Sequence, residues 1–133
     1  MCQGCLYICI RCRFCLNFLL FLIVCVMTIR INGETAIRCL FDTITENGIY
    51  LLDEPENSLS AKLQLKPAQF VADSARHFNC KFIIATHSPF FLSLPNAKIY
   101  NLDEIPVKTE YWTDLPNMRA YFDLFMKYRF DFQ

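Results

Sequence analysis

The chain has 133 residues with 13 basic and 13 acidic side chains, so its formal net charge is zero, and 54% of its residues are apolar. That length suits one domain or part of a larger one, and the apolar content supplies a core. Nothing in the charge balance predicts strong non-specific attraction to nucleic acid or anionic lipid.

Eight cysteines are many for this length, but six lie within the first 25 residues and only Cys39 and Cys80 follow. A disulfide framework would spread them across the fold. The later part therefore reads as a cytosolic domain with ordinary buried thiols. Cys2, Cys5, Cys9, Cys12 and Cys15 have spacings that invite a zinc or iron–sulfur reading. Against it, the pairs nearly abut and no histidine lies nearby. Residues 14–29 are nearly all apolar, with Arg11 and Arg13 before them and Arg30 after. A spanning helix wants about 20 apolar residues, more than this run has. A signal peptide fits the arginines and the run, but no small-x-small cleavage site follows. Beside membrane contact through 14–29 stand two other readings, a buried element or a stretch foreign to the domain behind it. Residues 1–29 are thus set apart from a domain over 30–133.

Asn32-Gly33-Glu34 is a polar break. Ala36, Ile37, Leu40, Phe41 and Ile44 then follow the spacing of an amphipathic helix over 35–44. Glu34 suits the positive end of its dipole. Thr45–Gly48 is a turn, with Gly48 expected as the helix-ending or left-handed residue. Ile49–Asp53 reads as a strand buried on both faces, as in a parallel sheet. Ser60 suits the N-cap of a helix running to about Phe78. Its buried stripe is expected at Leu59, Leu63, Phe70, Val71, Ala75 and Phe78. Pro67 inside it predicts a bend near residues 63–67. Lys81–Ala85 is a second buried strand, followed by a helical turn at 90–94 and a strand from Ala97 to Leu102. A short strand at 106–112 and a helix over 115–128 complete the chain. Strand–helix–strand with buried strands implies an α/β fold, a parallel sheet with right-handed crossovers flanked by helices.

Two polar tips carry the chemistry. Asp53-Glu54-Pro55 ends one strand, and Thr86-His87-Ser88-Pro89 ends the next. The carboxyl edge of an open α/β sheet is where such folds bind ligands. Adjacent like charges raise each other's pKa unless a cation or solvent relieves them, and magnesium would do so. The plainer readings are a strand stopped at a polar turn and a histidine that caps it. If the strands are neighbours, the cluster fits phosphate hydrolysis: one carboxylate holds magnesium, the second polarises water, and the histidine bonds the phosphate.

Gly48–Ser60 resembles the Walker B strand and D-loop of ABC-type ATPases, in particular predicted ATPases of the AAA family that read Leu-Leu-Asp-Glu-Pro-Glu-Asn-Ser-Leu-Ser. Lys81–Pro89 resembles their switch-histidine segment. Ile31-Asn32-Gly33-Glu34 resembles their signature motif, at the usual distance before Walker B. By that resemblance the fold is a partial P-loop NTPase sheet and the ligands are ATP and Mg2+. Asp53 would hold the metal through water, Glu54 would be the general base, and His87 would contact the γ-phosphate. Asn57, Ser58 and Ser60 would form a D-loop across a homodimer or partner-ATPase interface. Asn32, Gly33 and Glu34 would touch the nucleotide held by the partner subunit.

Four departures qualify the match. Ile31 stands where the family has serine, Ala61 where proline often opens the helix, and Pro67 interrupts a helix that should be continuous. The three glycines, Gly4, Gly33 and Gly48, form no Gly-x-x-x-x-Gly-Lys-Ser/Thr loop, so the phosphates have no cradle. In the family, the strand feeding that loop lies between the switch-histidine strand and the next one. That strand is expected to be missing here, leaving strands 81–85 and 97–102 facing a gap that residues 16–29 are candidates to fill. Three readings follow: the carboxy-terminal half of an ABC-type ATPase, inactive alone; a non-catalytic module pairing with a full ATPase; or a small membrane-anchored protein.

Overall fold

Short apolar runs separated by amphipathic stretches are the pattern of a sheet covered by helices. The computed structural model describes residues 6–9 and 34–132. It is a mixed α/β structure with one five-stranded sheet. The strands are β1 (Leu6–Cys9), β2 (Ile49–Asp53), β3 (Lys81–Ala85), β4 (Ala97–Asn101) and β5 (Lys108–Glu110). Their order is β2-β3-β1-β4-β5. The first four in that order run parallel, and β5 is antiparallel to β4. The helices are α1 (Glu34–Thr43), α2 (Ala61–His77), the single turn α3 (Pro89–Leu92) and α4 (Pro116–Lys127). Every element expected after residue 34 is present, with ends shifted by two residues or fewer.

The expected gap in the sheet does not exist. β1 lies between β3 and β4, with Leu6 opposite Phe82 and Ala97, and Ile8 opposite Ile84 and Ile99. Four residues suffice to pair both neighbours, so β1 fills the slot for which the sequence offers residues 16–29 as candidates. The remaining cysteine-rich positions and the apolar run 14–29 lie outside the described residues. Among those described, no helix is long and apolar enough to cross a membrane.

The strands are not buried equally on both faces. Tyr50, Leu52, Phe82 and Ile84 are buried, whereas Leu51 and Ile83 are half-buried and Ile49 is 45% exposed. The side chains alternate across the pleat, and the buried set meets Val71 and Ala75 of α2 and Phe91 and Leu92 of α3 in one cluster. Full burial of each large apolar side chain stabilises by about 1.5–3 kcal/mol, so among the described residues this face contributes the larger share.

α2 corrects a further expectation, that of its buried stripe. The helix continues through Pro67, which is itself buried. Burial of the ring offsets part of the roughly 3 kcal/mol an interior proline costs. The buried stripe is Pro67, Ala68, Val71, Ser74 and Ala75. Leu63 and Phe70 are only partly covered, and Phe78, beyond the helix end, is 44% exposed. Phe70 instead meets Phe41 of α1, ring centroids 4.3 Å apart. Ser60 occupies the N-cap in an extended conformation, but its side chain makes no capping hydrogen bond. At the turn into β2 the left-handed residue is Asn47, φ 59°, rather than Gly48. Gly48 is required for another reason: a Cβ there would run into the ring and hydroxyl of Tyr50.

Candidate functional site at the carboxyl edge of β2 and β3

β2 and β3 are hydrogen-bonded neighbours in register from Ile49 opposite Lys81 to Asp53 opposite Ala85. The two polar tips therefore emerge side by side at one sheet edge, the condition their convergence required. Pairing runs one residue past the strand, because the Glu54 N–H donates to the Ala85 carbonyl at 2.8 Å. Glu54 then turns the chain with φ 46°. A non-glycine residue in the left-handed region costs free energy and is concentrated at functional sites. Pro55 follows, and Asn57 N–H donates to the Glu54 carbonyl at 2.9 Å to close the turn. A second left-handed residue, Ser58 at φ 67°, brings the loop to Leu59, which is buried.

Asp53 shares the half-buried face with Leu51, and its Oδ1 is buried without a hydrogen-bond partner. A carboxylate oxygen closed off from both water and donors is unfavourable unless a cation or donor meets it. His87 is exposed. Among the described residues, no three His, Cys, Asp or Glu side chains lie close enough to hold a metal together. Asp53, Glu54 and His87 thus share an edge without forming a ligand cluster. Asn57, Ser58 and Ser60 are exposed along the loop before α2. Glu34 is the first residue of α1, and Asn32 and Gly33 lie outside the described residues.

The residue that joins the two tips is one the motif reading passed over. Glu56 Oε1 accepts hydrogen bonds from the backbone N–H of His87 at 2.9 Å and of Ser88 at 3.1 Å. A second link runs through α2: the Ser88 hydroxyl donates to Gln64 Oε1 at 2.7 Å, and Gln64 Nε2 donates to the Leu59 carbonyl at 2.9 Å. Ser88 Oγ in turn accepts from Phe90 N–H at the start of α3, at 3.2 Å. Thr86, wholly buried, accepts from Ser88 N–H at 3.0 Å. The available signal was a carboxylate two residues after the acidic pair facing a Thr-His-Ser-Pro tip. Its spacing has no motif, because the contact is long-range in sequence.

Other chemistry-bearing groups lie elsewhere. Cys80, at the opposite end of β3, is buried and donates its Sγ–H to the Thr45 carbonyl at 3.2 Å. Burial pushes its pKa up from the ordinary 9.0; hydrogen bonding to the Gly48 backbone opposes this and the Glu46 charge adds to it. A shallow groove lined by Phe41, Leu65, Lys66 and Phe70 lies between α1 and α2, away from the tips. No protein-family model matches the chain, and no curated protein matches it.

Proposed function

We propose that the chain carries the metal- and water-handling side of an ABC-type ATPase site and does not turn over ATP alone. The observation that carries this reading is the in-register pairing of β2 and β3, which delivers Asp53-Glu54 and Thr86-His87 to the same carboxyl edge. The strand order adds support: β1 runs parallel in the slot between β3 and β4, where the family keeps the strand that feeds its phosphate loop. A partial P-loop sheet is the finer fold that this order supports.

The residues fit magnesium in one respect. Mg2+ is usually bound through one or two carboxylates with waters and substrate phosphates completing its shell, and Asp53 offers a buried, unpartnered oxygen for such a role. Bound there, Mg2+ would neutralise charge on phosphate oxygens. Glu54 would accept a proton from the attacking water, its left-handed backbone turning it out of the strand. His87 would donate to a phosphate oxygen from the neighbouring tip. The nucleotide itself fits less well, since no Gly-x-x-x-x-Gly-Lys-Ser/Thr loop occurs in the 133 residues. A complete site requires that loop from a partner ATPase subunit, and Asn57, Ser58 and Ser60 are the exposed residues suited to meet it. The test is steady-state ATP hydrolysis by the purified chain and its Glu54→Gln variant. Equal, background rates are expected. Turnover that Glu54→Gln abolishes would refute the inactivity while supporting the site.

A further inference from the structure

We propose that Glu56 is the positioning residue for the His87 segment, so that movement of the loop over residues 54–60 is passed to His87. The proposal rests on the reading of this edge as a phosphate site, because His87 acts there only by its position. One carboxylate oxygen accepts from two successive backbone amides on the other strand's tip. Hydrogen bonds to an ionised acceptor are roughly twice as strong as neutral ones. The second oxygen, Oε2, is buried without a partner, whereas a carboxylate serving only a surface turn would keep it in water. The His87 residue is exposed, so the carboxylate fixes the backbone from which the imidazole projects. The Gln64 side chain, bonded to both Ser88 Oγ and the Leu59 carbonyl, gives the same two segments a second tie. Between them, the loop after β2 cannot shift without pulling on residues 86–88.

The experiment is amide hydrogen exchange on the unliganded chain, read residue by residue, for Glu56→Ala, Glu56→Gln and Pro55→Gly. His87 N–H is the cleaner reporter, since Ser88 N–H is shared with Thr86 Oγ1. Glu56→Ala is expected to speed exchange at His87 about 10- to 100-fold, the factor set by one hydrogen bond to a charged group. Glu56→Gln keeps an acceptor oxygen and should give a smaller increase. Pro55→Gly loosens the loop and leaves the carboxylate in place, and coupling requires that it too speeds His87. Ile84 and Val71, deep in the core, should keep their protection in all three. Unchanged His87 exchange in Glu56→Ala or Pro55→Gly would overturn the proposal. So would a parallel rise at Ile84 and Val71, which marks a merely structural role. If Glu56→Ala does not fold, Glu56→Gln decides alone by the same comparison. No nucleotide enters the assay. A failure of the phosphate reading would appear separately, as absent metal or nucleotide binding with the exchange pattern intact.

Discussion

Glu54 holds a backbone conformation that glycine would adopt more cheaply. Its φ of 46° places Cβ against the following carbonyl oxygen, at a cost of about 1–2 kcal/mol for a residue with a side chain. Glycine has no such penalty, but its freer unfolded chain costs about 0.5–1 kcal/mol relative to alanine. Comparing Glu54→Ala with Glu54→Gly removes the carboxylate from both and isolates the backbone term. At an ordinary strand or helix position alanine would be the more stable. Here glycine should be the more stable by up to about 1.5 kcal/mol. The 2.8 Å bond from Glu54 N–H to Ala85 keeps the backbone from rotating away to relieve the strain. Urea unfolding at 25 °C measures the difference, since a chain of this size usually unfolds in two states. An alanine variant as stable as the glycine variant, or more stable, would refute the strain. A glutamate at a position that favours glycine is what a chemical role there would require.

Gly48→Ala should destabilise the fold by about 1–3 kcal/mol, the usual range for overpacking. The clashing Tyr50 ring is held by Thr45, whose N–H it accepts at 2.7 Å and whose carbonyl it bonds at 3.0 Å, and it stacks on Phe82. In a Tyr50→Ala background the same substitution should cost under about 0.5 kcal/mol, and an additive double-mutant cycle would disprove the clash. Cys80 makes stability depend on alkaline pH. Its thiol pKa is raised in the folded state above the ordinary 9.0. The unfolded chain therefore ionises first, and stability present below pH 9 declines as pH rises beyond it. Cys80→Ser should flatten that decline in thermal melts taken from pH 7 to 10, and an unaltered slope would contradict it.

The fold was largely legible where local signals agreed. Pro55 and Pro89 stop their strands' continuations, Gly48 and Asn47 mark a turn, and Ile49–Leu52 and Phe82–Ile84 read as strands at once. Leu6–Cys9 is hard to see in the sequence because its one cysteine, Cys9, belongs to a run of closely spaced cysteines, and a strand of four residues has little periodicity to find. Pro67 does not end α2: propensity describes an isolated helix, and here packing buries the ring. The acidic pair and His87 were visible as strand-end residues, but their adjacency depended on strand order, which no local pattern encodes. Glu56, Gln64 and Ser88 escaped notice for the same reason, since their bonds span 24 to 32 residues.

The central claim is that the edge formed by Asp53 and the His87 tip is a cation-dependent phosphate site. Manganese is a paramagnetic stand-in for magnesium, and its titration into the chain, followed by amide line broadening, tests this most directly. The account predicts broadening centred on residues 52–56 and 85–88, and its loss in Asp53→Asn. Broadening centred elsewhere, or undiminished in Asp53→Asn, would contradict it.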